Sequence, residues 1–110
     1  MTTYTLATAI HTLAQLDVEF ACKHPGPSGM VTIPLSAREL RSYVLDPVAY
    51  LARHYGVSVD DYLEWHRSQF TVRCSGTTLE GARCKGLVAG GHGVQPATWA
   101  SMKGLMCPKH

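Results

Sequence analysis

Apolar residues recur at Leu6, Ile10, Leu13 and Leu16, the three- and four-residue spacing of one helical stripe, which predicts a first amphipathic helix over residues 5–16. Polar and apolar residues then alternate over residues 17–22. HPGPSG follows with turn chemistry, and MVTIPL with β-branched strand formers, so this stretch predicts a short β-hairpin. Ser36 stands three residues before Glu39, the spacing of a capping box that starts a helix. Asp46-Pro47 repeats the signal as an N-cap followed by proline at the first helical position, and Gly56 is placed to end that helix. Ser58 with Asp61 opens another helix through Arg67. Three short helices over residues 36–70 are thus expected to turn Leu40, Tyr43, Val44, Val48, Leu51, Tyr55, Val59, Leu63 and Phe70 inward.

After Phe70 the pattern changes. Seven of the ten glycines lie between Gly76 and Gly104, and apolar periodicity fades. Ordering such a stretch costs roughly 1–2 kcal/mol per residue, which its few large apolar side chains cannot offset by burial. It needs a staple, and GGHG at 90–93 is expected to be a mobile loop. The fold class expected is α+β: a helical region with a short β-hairpin over residues 1–70, followed by a zinc-ribbon-like module over residues 71–110, the two forming one compact unit.

The staple is written in the cysteines. Cys74 and Cys84 are separated by nine residues that include Ser75-Gly76 and Glu80-Gly81, so the chain can reverse and bring both sulfurs to one point. Cys107 and His110 are two residues apart across Pro108-Lys109, close enough to face the same ion. Cys74, Cys84, Cys107 and His110 complete a Cys3His tetrahedron with no open position, which implies a structural Zn2+ instead of a catalytic one. Alternative ligands are Cys22 or His24, in a Cys-x-His pair, and His92 in the glycine loop. RCSGTTLEGARCKG followed by CPKH resembles short zinc modules of the form Cys-x9-Cys…Cys-x2-His, such as the WRC domain of plant growth-regulating factors and small phage and bacterial zinc-binding modules. The resemblance covers residues 73–110.

Composition narrows the class. The chain has 110 residues, 45% apolar and 16% charged, which suits one small globular fold. No basic cluster precedes an apolar stretch at the N-terminus, and no apolar run is long enough to span a bilayer. An intracellular, cytoplasmic protein with reduced thiols is expected, which favours metal over disulfide. Charge is divided: residues 1–70 carry −2 and residues 71–110 carry +4.

No spacing pairs a nucleophile with a base, so an enzyme is not expected, nor a small-molecule substrate. Residues 48–65 fit a helix-turn-helix pattern through Ala52, Gly56, Tyr62 and Trp65, yet the second helix carries Asp60, Asp61 and Glu64, which phosphates would repel. A helical hairpin is the plainer reading. The expected role is a non-catalytic, zinc-stabilised binding protein, and its partner is open between two classes. Nucleic acid would be met through Arg73, Arg83, Lys85 and Lys103. A protein would be met through Asp60, Asp61, Glu64 and Trp65, as by a phage-type inhibitor that blocks a host protein complex. Trp99 is expected to anchor the insertion between Cys84 and Cys107.

Overall fold

The computed structural model describes residues 5–109. Five helices and one two-stranded antiparallel hairpin make it an α+β fold. The order is α1 (Leu6–Gln15), β1 (Phe20–Gly26), β2 (Gly29–Leu35), α2 (Ala37–Leu45), α3 (Pro47–His54), α4 (Val59–Arg67) and α5 (Pro96–Met102). Each helix packs on the next in the chain, and the hairpin packs on α2. The result is drawn out, 67 × 22 × 19 Å along its principal axes.

The local signals explain where helices start. Thr5, Ser36, Asp46 and Ser58 all cap with side-chain oxygens, each satisfying a backbone N–H that the first helical turn leaves free. At α2 the box is complete: the Glu39 amide donates to Ser36 Oγ at 3.1 Å, and the Ser36 amide donates to Glu39 Oε1 at 2.8 Å. Tyr50 on α3 donates its hydroxyl to the other Glu39 oxygen at 3.1 Å, so the cap also ties α2 to α3. Gly56 takes φ +70° after the α3 C-cap, a conformation that favours glycine.

The Ser36 amide, and after it the Ser36 and Tyr50 hydroxyls, hold the Glu39 carboxyl below its ordinary pKa. The stabilisation is therefore complete above the ordinary carboxylate value and is lost as pH falls through the depressed one. Ser36→Ala should cost about 1 kcal/mol, read as a lower urea midpoint at neutral pH, with the deficit shrinking in acid.

In the hairpin, Cys22 pairs with Ile33 and His24 with Val31. Alternation buries Cys22, His24, Ile33 and Leu35 on one face. Those strand residues meet Tyr50, Leu51, Ala52, Tyr62 and Trp65 from the helices, and the same core continues past residue 70 into Val72, Val88 and Trp99. Of the residues expected inside, Leu51 is buried, and Leu40, Tyr43, Val48, Tyr55 and Phe70 pack partly buried against the core. Val44 and Val59 instead face solvent, because short helices packed in sequence bury a narrow stripe, which Tyr50, Tyr62 and Trp65 fill. Helix α5 lies in what the sequence presents as an unpatterned insertion. It buries Trp99, whose indole N–H donates to Thr71 O at 2.8 Å, so Trp99 anchors this segment as expected.

No helix among the described residues is long and apolar enough to cross a membrane.

Candidate metal centre

Beyond α4 the chain runs out through residues 72–77, reverses at Thr78–Gly81, and returns through residues 82–88. The turn closes with Thr78 N–H donating to Ala82 O at 2.6 Å and Gly81 N–H to Thr78 O at 2.9 Å. Isolated bridges pair Arg73 with Leu87 and Thr77 with Arg83, so this is a second, irregular hairpin in place of a continuous ladder. Its base is tied to the core, with Val72 N–H donating to Gly91 O at 2.7 Å and Val88 N–H to Val72 O at 2.9 Å. In the loop at 90–93, Gly91 is buried while Gly90, His92 and Gly93 are exposed; Gly91 N–H donates to Val88 O, and just beyond the loop Val94 O accepts the Trp65 indole N–H at 2.7 Å.

Alternation along this hairpin sets Val72, Cys74, Gly76, Cys84 and Val88 inward, and Arg73, Thr77, Arg83, Lys85 and Leu87 outward. Cys74 N–H donates to Gly86 O at 2.8 Å and Cys84 N–H to Gly76 O at 2.9 Å, so each cysteine stands opposite a glycine. The third sulfur arrives because Ser75 N–H donates to Leu105 O at 3.0 Å and Ser75 Oγ to Gly104 O at 2.7 Å. These bonds draw residues 104–107 alongside the first limb.

The sulfurs of Cys74, Cys84 and Cys107 lie within 4.8 Å of one another, all buried. Cys84 Sγ and Cys107 Sγ are 3.8 Å apart. A disulfide would bring them to about 2.05 Å. A tetrahedral ion with metal–sulfur bonds of about 2.3 Å would set them roughly 3.8 Å apart. The donor set therefore fits a metal ion. Gly76 N–H and Gly86 N–H donate to Cys74 Sγ and Cys84 Sγ at 3.3 and 3.4 Å, supporting thiolate charge where a cation would sit.

Burial pushes the Cys74 thiol up, but the Cys107 and Gly76 amides and the neighbouring Cys107 and Cys84 thiols outweigh it and bring it down to about 7. At Cys84 the Gly86 amide pulls the pKa down, and burial with the Cys107 and Cys74 thiols overrides it, leaving the value raised. The Cys74 thiol is thus poised to ionise near neutral pH.

A side chain on Gly86 would enter this cluster, its Cβ only 3.2 Å from Cys107 Sγ and 3.4 Å from Cys84 Sγ. Gly86→Ala should weaken metal affinity about tenfold while leaving the fold in place, as seen for disturbed shells around metal ligands. Competition with a chromophoric chelator would measure it.

Among the described residues no histidine or carboxylate joins the three sulfurs. The His110 expected as fourth ligand lies outside the described residues. Cys22 and His24 are instead buried on strand β1, away from the sulfur trio: His24 Nδ1 is 2.9 Å from Pro25 O, and its Nε2 meets the Tyr55 hydroxyl. His92 is exposed in its loop.

The expected binding residues separate. Arg73, Arg83, Lys103 and Glu64 line one cleft, joined by Arg67, which sequence reasoning missed because its helix reads as acidic. Lys85 is exposed on the hairpin and does not line that cleft. Lys103 Nζ lies 2.6 Å from Asp61 Oδ1, while Asp60 is exposed. Trp65, expected to face a partner, is fully buried: it packs against Phe70 with ring centroids 4.6 Å apart and against Tyr62 at 5.6 Å. Compared with protein-family profiles, curated proteins and solved structures, the chain matches none.

Proposed function

We propose that this chain is a non-catalytic binding protein whose C-terminal third is a zinc-ribbon-like module stapled by one structural Zn2+. The observation that carries the reading is the buried trio of sulfurs, two of them 3.8 Å apart. Three thiolates favour a soft or borderline ion, and zinc accepts tetrahedral thiolate and imidazole donors without redox chemistry. Cys107-Pro108-Lys109-His110 supplies the imidazole by its two-residue spacing. A closed Cys3His site leaves no position for substrate, so the ion's task is to order the surface that the hairpin displays.

That surface carries Arg73 and Arg83, with Lys103 beside them, which supports a small nucleic-acid-associated regulator. The other reading, an inhibitor of the phage type that docks on a host protein through α4, is supported by the exposed Asp60 and Glu64. Trp65 cannot serve it, being in the core.

Zinc-loaded protein immobilised and exposed to lysate, with and without nuclease, separates the two. Both interfaces are charged and both weaken as salt rises, so nuclease sensitivity is what separates them. Partners lost on nuclease treatment support the regulator; one protein retained through it supports the inhibitor.

A further inference from the structure

The cleft between the end of α4, the outer face of the metal-site hairpin and α5 has a volume of about 640 Å3. Its charge is one-sided. Arg67, Arg73, Arg83 and Lys103 line it against a single carboxylate, Glu64. Among the described residues the one ion pair commits Lys103 to Asp61 at the rim, and none engages the three guanidinium groups. Arg73 and Arg83 flank Cys74 and Cys84 in sequence and point to the opposite side of the hairpin from the sulfurs, so the fold that gathers the thiols also gathers the arginines. Arg83 Nε–H donates to Cys74 O at 3.5 Å, a bond in which the two outer nitrogens of its guanidinium take no part.

We propose that this cleft binds the phosphodiester backbone of a single-stranded nucleic acid, through Arg67, Arg73 and Arg83. Guanidinium forks suit phosphate oxygens, pairing with them bidentately. All three arginines are exposed, and separate solvated cations hold a lone phosphate weakly. A strand brings successive phosphates to all of them and gains from counterion release. Trp99 forms a wall and not a stacking platform, since it is buried and its indole N–H is held by Thr71 O. Recognition therefore falls on the backbone and is tolerant of sequence. The cleft gathers its three guanidinium groups in one concavity of about 640 Å3, a scale that a single strand can enter. The inference rests on the proposed function in taking the hairpin as metal-ordered.

The test is fluorescence anisotropy of full-length, zinc-loaded protein with a labelled mixed-sequence DNA oligonucleotide, titrated at several salt concentrations, with zinc content checked by native mass spectrometry for every variant. Arg67→Glu, Arg73→Glu and Arg83→Glu should each weaken binding at least tenfold with zinc retained. The corresponding alanine variants should each reduce the log–log salt slope by about 0.7, the value per phosphate contact on a single strand. Arg41→Ala on α2, outside the cleft, should leave both unchanged. The proposal is overturned if zinc-loaded protein does not bind the oligonucleotide, if duplex binds more tightly than strand, if millimolar inorganic phosphate displaces the strand at constant ionic strength, or if the reversals weaken binding only where zinc is lost. A protein that carries no zinc yet binds through the same arginines would overturn the metal reading and leave the cleft standing.

Discussion

Cys84→Ser protein should carry no zinc and should lose the ordered structure of residues 72–107. Cys84 sits at the middle of the return limb, with its sulfur 3.8 Å from that of Cys107 and its own amide bonded to Gly76 O. Serine keeps the amide bond but replaces a thiolate with a hydroxyl that does not ionise near neutral pH, leaving a site with two thiolates. Structural zinc contributes on the order of 10–16 kcal/mol to small modules, as much as or more than the roughly 5–15 kcal/mol by which whole domains are stable. The segment's buried apolar contributions to the core are Val72, Val88 and Trp99, with Val94, Ala100 and Met102 partly buried beside them, too few to hold it once the ion leaves. Amide hydrogen exchange should show protection lost throughout the hairpin and kept in α2 to α4. Native mass spectrometry should show the mass of the bare chain.

Trp65→Ala has the second large effect, and it strikes the other half of the molecule. The indole is fully buried, its N–H donates to Val94 O at 2.7 Å, and its ring lies among Tyr55, Tyr62 and Phe70. Truncation removes the largest fully buried side chain among the described residues and leaves a cavity, worth about 3–5 kcal/mol. It also frees a carbonyl that fastens the loop after Gly93. The expected outcome is a sharply lowered urea midpoint with loss of helical signal near body temperature. Trp65→Phe, which fills most of the volume but cannot donate to Val94 O, should cost clearly less. If alanine left the midpoint within experimental error of wild type, α4 would not pack as described.

The reach of the sequence follows the range of the interactions that set each feature. Caps at Ser36, Asp46 and Ser58 were legible because Ser36 bonds Glu39 and Ser58 bonds the Asp61 amide, three residues away. The meeting of Cys74 and Cys84 was legible for the same reason: one turn joins them. Helix α5 was not, since it spans seven residues with Pro96 at its start and Trp99 as its one large buried apolar side chain, and Trp99 is fixed by Thr71, 28 positions away. Trp65 was misplaced because its neighbours on α4 are acidic. The side facing Tyr55 and Val94 is defined by tertiary contacts that periodicity over nine residues does not resolve. Arg67 escaped notice on the same helix, and its convergence with Arg73 and Arg83 needs the chain to fold back after Phe70. The left-handed pair Gln69 and Phe70, at φ +54° and +67°, makes that reversal with no glycine to announce it.

Zinc-edge X-ray absorption on the reduced, full-length protein tests the central claim most directly. The account predicts one zinc per chain with three sulfurs at about 2.3 Å and one nitrogen at about 2.0 Å. A first shell of oxygen and nitrogen only, or a folded protein that retains no stoichiometric zinc, would contradict it.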